Sequence, residues 1–209
     1  MFGLAELIGL PQNGIPLVTS RGNQIANTQG AKVGAGRVSA FRDKCLRKNW
    51  KFRRDSNGLY NCAGLVWASR RTGISQNEEW LKILADDGYR QTSHPILDDL
   101  VLYRDSDDRS FLHVGRIVGI EPGVSELSPK IPIVLSKWGH DLGECVHFAH
   151  DHGIDNNYNV SLEYWTDRTN EDQLYESTRL VILMKDSFLD LSKYRQLKAF
   201  TMHFVAVSK

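Results

Sequence analysis

The hydrophobic period of this chain changes once, between residues 86 and 99, and that change limits the folds open to it. Before it, Asn61-Cys62-Ala63-Gly64-Leu65-Val66-Trp67-Ala68 sets an N-capping residue type ahead of an apolar-faced helix, with Gly73 as the expected C-cap. Residues 77–86 read as a second, shorter helix, with Glu78 and Glu79 in the first turn, where carboxylates suit the helix dipole. After the change, Asp99–Arg104, Leu112–Ile120 and Ile131–Trp138 are short β-rich runs separated by polar or Gly/Pro breaks. Val160–Trp165, Leu180–Met184 and Phe200–Val207 read as further strands, and 186–198 as a weakly amphipathic helix. Helices first and a sheet afterwards predict an α+β fold.

A chain of 209 residues can bury a substantial single core. The expected organisation is a loop-rich extension over residues 1–40, rich in Gly, Asn, Gln and Thr, followed by one compact domain over 41–209. The glycines at 30, 34 and 36 match neither phosphate-loop pattern, and no apolar strand precedes them. Arg42–Arg54 mixes basic residues with Trp50 and Phe52, the mixture a nucleic-acid patch uses. A net charge of +1 provides no global field toward nucleic acid, so the expectation is a solvated helix face with its aromatics turned inward. No apolar run is long enough to span a bilayer. Met1–Ile8 lacks the positively charged start of a secretory signal, and Glu6 breaks its apolar run. The corresponding expectation is a cytoplasmic protein, or one delivered by a non-classical secretion route. Three scattered cysteines make no disulfide framework, and Cys45 and Cys145 read as small buried or half-buried residues.

Cys62 stands in chemical surroundings. A thiol becomes a strong nucleophile when ionised, and a helix N-terminus together with a nearby imidazole promotes that. The unpaired first-turn N–H groups face its side chain and would also hold an oxyanion during acyl transfer. His113 opens the strand His113-Val114-Gly115-Arg116-Ile117-Val118 and would supply the imidazole, with a third polar group to orient it.

Asn61-Cys62-Ala63-Gly64-Leu65-Val66 resembles the D-C-S-G-[FL]-[VT] signature around the nucleophile of NlpC-type papain-like cysteine peptidases and the related CHAP amidases. Asp99-Leu100-Val101-Leu102-Tyr103 is similar to the G-D-L-V-x-[FY] strand before their histidine, and His113-Val114-Gly115-Arg116-Ile117 to their H-V-G-I-[YV]. The motifs keep the family's order and cover residues 57–140. Asn61 replaces the family's Asp, and Asp98-Asp99 its Gly-Asp.

The resemblance implies a papain-like fold, with a nucleophile helix packed on an antiparallel sheet. It implies Cys62 as nucleophile, His113 as general base and a polar orienter on the next strand. Ser136 stands there by register, with Lys137, His140 and His147 as substitutes. The implied substrate is a peptide or other amide, cell-wall stem peptides among them, and neither metal nor cofactor is called for. Two other functions stay open. One is a binding module on the same fold, with the cysteine unused. The other is a metal-dependent hydrolase built on His147, His150 and His152, which stand with Asp151 in a stretch that otherwise reads as a polar loop.

Overall fold

The computed structural model describes residues 14–123, 130–154 and 157–169. The chain divides into two compact units, Met1–Asp167 and Arg168–Lys209, and only residues 168 and 169 of the second are described. The sequence-predicted elements at 180–184, 186–198 and 200–207 lie outside the described residues.

The first unit is a mixed α/β structure with a seven-stranded antiparallel sheet and few helices. The helices are α1 (Ala35–Arg47), α2 (Cys62–Trp67) and α3 (Asn77–Asp86). The strands are β1 (Lys51–Arg54), β2 (Arg90–Gln91), β3 (Leu100–Asp105), β4 (Phe111–Glu121), β5 (Ile131–Lys137), β6 (Glu144–Phe148) and β7 (Val160–Thr166). Their order across the sheet is β1-β6-β5-β4-β3-β7-β2. Among the described residues no helix is long and apolar enough to cross a membrane.

Alternation along the strands divides the sheet into two faces. On one, Leu100, Leu102 and Val114 pack with Cys62, Ala63 and Val66 of α2 and with Trp80, Ile83 and Leu84 of α3. On the other, Val101, Tyr103, Ile117, Val134 and Ala149 form a second core. Cys145, also on that second face, joins Phe41 and Cys45 of α1 and Trp50. Cys45 and Cys145 are both buried. Each fully buried aliphatic side chain contributes about 1.5–3 kcal/mol through removal from water, so these clusters carry the fold.

Four elements depart from the sequence expectation. The basic stretch 42–54 is not one helix. It turns at Asn49 (φ 54°) and continues as β1, an edge strand whose four residues are all exposed. Trp50 turns inward as expected, while Phe52 stays partly exposed. α1 opens at Ala35, inside the stretch read as loop. The histidine stretch read as a polar loop begins inside a strand: Glu144–Phe148 pair on both sides as β6, which takes in His147.

The fourth departure is α2, which stops at Trp67 instead of reaching Gly73. Ser69 and Arg70 take left-handed backbone (φ 49° and 67°), which costs non-glycine residues of order 1 kcal/mol each. The turn aims Arg70 at buried Glu144, with Nε donating to Oε1 at 2.6 Å and Nη2 to Oε2 at 3.1 Å. Gly73 is used elsewhere, in a backbone bridge with Thr28.

Gly64 lies where α2 meets this returning chain. A Cβ there would collide with the Thr72 carbonyl and with Tyr60. Gly64→Ala is therefore expected to lose about 1–3 kcal/mol of stability despite alanine's better helix propensity. Urea denaturation checks this, and an unchanged midpoint would contradict the packing described.

Candidate active site

Asn61 fixes the position of Cys62. Its Oδ1 accepts from the backbone N–H groups of Gly64 at 3.0 Å and Ile74 at 3.1 Å, and its Nδ2 donates to the Ile74 carbonyl at 2.9 Å. One side-chain amide thus caps α2 and ties it to the segment after it. An amide suits this position where a carboxylate would not, since a carboxylate has no donor for the Ile74 carbonyl.

The cap presents Cys62 to a cleft of 360 Å³ whose lining includes Asn61, Trp80, Phe111, His113, Trp138 and His140. Cys62 is 7% exposed. Burial pushes its thiol up to about 11, against the opposing pull of the Val114, Ala63 and Cys62 backbone N–H groups and the Lys137 charge. α2 has only six residues, so its dipole adds little to the ionisation of the thiol.

His113 reaches the cleft from the other face of the sheet. It pairs across β3–β4 with Tyr103, and its ring stacks on Trp138 at 3.9 Å between centroids, 10° from parallel. Its Nε2 is buried without a hydrogen-bond partner, and among the described residues no hydrogen bond joins it to Cys62. Burial, reinforced by the His147 and His152 rings, holds its pKa well below the usual imidazole value. The imidazole is therefore neutral at pH 7.

Ser136, expected as the orienter of His113, does something else. It shares the His113 face but sits beside Gly115, one residue pair away, where a Cβ added to Gly115 would meet its Oγ. Its hydroxyl lies 2.9 Å from His147 Nε2. His147 Nδ1 lies 2.8 Å from the Phe148 carbonyl, which can only accept. Nδ1 therefore carries the proton, and Ser136 donates to Nε2. The orienter expectation is corrected: Ser136 holds His147. The position facing His113 holds Trp138.

The other candidates scatter. His140 lines the cleft wall, with Nδ1 3.1 Å from the Gly58 carbonyl. His147 is a buried β6 residue with both ring nitrogens engaged, not a loop histidine, whereas His150 is exposed. Among the described residues no three His, Cys, Asp or Glu side chains converge as metal ligands.

Lys137 is the ionisable group whose charge bears on the thiol. It shares the Cys62 face, paired across β5–β6 with Glu144. Period-two alternation separates it from Ser136 and was the available sequence signal, because adjacent strand residues face opposite ways.

No family model, curated protein or solved structure matches the chain.

Three outcomes follow from this geometry. Asn61→Asp is expected to lose about 1–3 kcal/mol at neutral pH, because the Ile74 carbonyl loses its donor and a buried charge appears; denaturant titration reads it. Ser136→Ala should cost a similar amount, about 1–3 kcal/mol, by orphaning His147 Nε2, and leave the alkylation rate of Cys62 unchanged. A slowed alkylation would return Ser136 to the site. The third concerns pH. His113 and His147 have folded pKa values below the ordinary 6.5, so the unfolded chain binds more protons as pH falls through that value. Stability should decline from pH 6.5 downward, by up to about 1.4 kcal/mol per pH unit for each histidine. His113→Phe, which keeps a stackable ring, should shallow that slope in melts taken across the pH range.

Proposed function

We propose that this protein is a thiol-dependent hydrolase of amide bonds, built on a papain-like arrangement of the NlpC type. One observation carries the reading: Cys62 and His113, which lie on opposite sides of the sheet, line a single cleft at the end of β4. A nucleophile and a base need only meet at the substrate, and in free enzymes their hydrogen bond is often long or absent. Support also comes from the residues beside them. Trp80, Phe111 and Trp138 give the cleft apolar walls, and Asn61, Ser75 and Asn77 place polar groups along one side.

In this mechanism Cys62 Sγ attacks the carbonyl carbon while its proton passes to His113. The tetrahedral oxyanion accepts hydrogen bonds from backbone N–H groups near the thiol. His113 then protonates the departing amine, the C–N bond breaks, and water hydrolyses the thioester to return the thiol. The Trp138 indole covers one face of the His113 ring and leaves the in-plane nitrogens at its edge for proton transfer. Peptides and other amides, including cell-wall stem peptides, are the substrate class.

A second reading is a binding module whose cysteine is unused. The thiol raised to about 11 and the missing bond to His113 favour it.

Turnover separates the two. Wild-type protein incubated with peptidoglycan stem peptides and simple peptide amides should release amine, and Cys62→Ala should lower that rate by about 10³-fold or more. Hydrolysis surviving in Cys62→Ala refutes the thiol mechanism. Binding without turnover in wild type, retained in Cys62→Ala, selects the second reading.

A further inference from the structure

We propose that Lys137 is a positioning residue for the Cys62 site, anchoring the 138–142 turn that walls the cleft and setting a cation behind the thiol. This rests on Cys62 being the reacting group.

The anchoring is visible in the hydrogen bonds. Lys137 is 1% exposed, and its Nζ donates to the carbonyls of His140, at 3.0 Å, and Leu142. Trp138, Gly139, His140 and Leu142 all line the cleft. Gly139 takes left-handed backbone (φ 95°) with its N–H on the Lys137 carbonyl at 2.9 Å, so the chain bends back over its own lysine. A buried ammonium satisfied by carbonyls is a fixed charge, since it cannot swing out to water without giving up both bonds.

The surroundings keep that charge aimed at α2. Lys137 Nζ lies 4.8 Å from the centre of the Tyr60 ring, two residues before Cys62. Glu144 faces it from β6 but is already taken up by Tyr60 Oη at 2.5 Å and by both Arg70 nitrogens, with Arg54 Nε 3.9 Å away. Arg70 pairs directly with the carboxylate and Arg54 lies beside it, so the Glu144 charge is shared among three cations and is not matched by the lysine alone. On the cleft side Cys62 is accompanied by Lys44, His113 and His140. His113 is neutral and the half-buried Lys44 has its Nζ 5.6 Å from the centre of the Trp50 ring, so Lys137 is the cation on the α2 side of the thiol.

Burial brings Lys137 down to about 8, with the Glu144 and Cys62 charges opposing the fall. Below that pH the ammonium is present and favours the thiolate. Above it the cation is lost, and further ionisation of Cys62 loses that help. A thiolate population governed this way rises about tenfold per pH unit below the lysine's pKa and flattens above it.

The test is the second-order alkylation of Cys62 by iodoacetamide from about pH 6 to about pH 10, read by mass spectrometry on the Cys62 peptide so that buried Cys45 and Cys145 do not contribute. Wild-type protein is expected to show a bend near pH 8. Lys137→Met should lose the bend and react at least about threefold more slowly at pH 7. Lys137→Arg keeps a permanent cation, so its rate should keep climbing past the wild-type bend. A wild-type profile with a single step and no bend overturns the proposal without recourse to any variant. A folded Lys137→Met whose profile superimposes on wild type overturns it as well. Alkylation reads the thiol's electrostatics whether or not an amide is cleaved, so failure here stays distinct from failure of the hydrolase reading.

Discussion

Adjacent residues of a β-strand face opposite ways, and in this protein that one constraint divides the chemistry in two. Lys137 and Glu144 share the α2 face with Val114, whose backbone N–H meets the Cys62 thiol. His113, Ser136, Trp138 and His147 share the other face. The cleft exists because β4 begins at Phe111, so both faces are reached around the end of a strand. Neither the thiol nor the imidazole is activated by the other at rest. What stands ready is a neutral, buried pair in one cavity, with a cation beneath the thiol and an indole against the imidazole.

The two faces also differ in how they satisfy polar groups. On the α2 face, Tyr60 and Arg70 share the Glu144 carboxylate and Lys137 is held by two carbonyls, with Trp67 Nε1 a buried donor left without a partner there. On the other face His113 Nε2, His152 Nδ1 and Trp138 Nε1 are buried without partners. Unpaired buried nitrogens cost of order 1–3 kcal/mol each and are uncommon in native interiors. Their gathering around one stacked histidine marks the place where the fold has most to gain from a ligand's polar atoms.

Four of the seven strands and α3 were legible because their signals are local. Asn77–Asp86 has a helical stripe, and β3, β4, β5 and β7 are each a short run rich in aliphatic or aromatic residues between breaks. β6 was not legible, because Glu144-Cys145-Val146-His147-Phe148 carries a charge and a histidine at positions that only the finished network makes buriable. The early end of α2 was hidden for a similar reason. Nothing local to Ser69 or Arg70 announces a left-handed turn, and the Glu144 that rewards it lies 74 residues away. The site was half legible. Cap, cysteine and strand histidine stand in sequence patterns, while the partner of His113 depends on cross-strand register, where a shift of one residue exchanges Ser136 for Lys137 and a shift of two for Trp138.

The Asn61 amide has a mechanical consequence. It grips α2 through Gly64 and grips the returning chain through Ile74, and its Nδ2 lies 3.5 Å from Ser75 Oγ, itself on the cleft wall. Ser75 and Cys62 are therefore joined by a linkage one side chain long, with no loop between them to absorb movement. A molecule that draws Ser75 toward itself also draws the first turn of α2, and the distance travelled by the sulfur is governed by an amide plane that barely deforms. The cleft wall at Ser75 and the first turn of α2 thus take their places from the same amide.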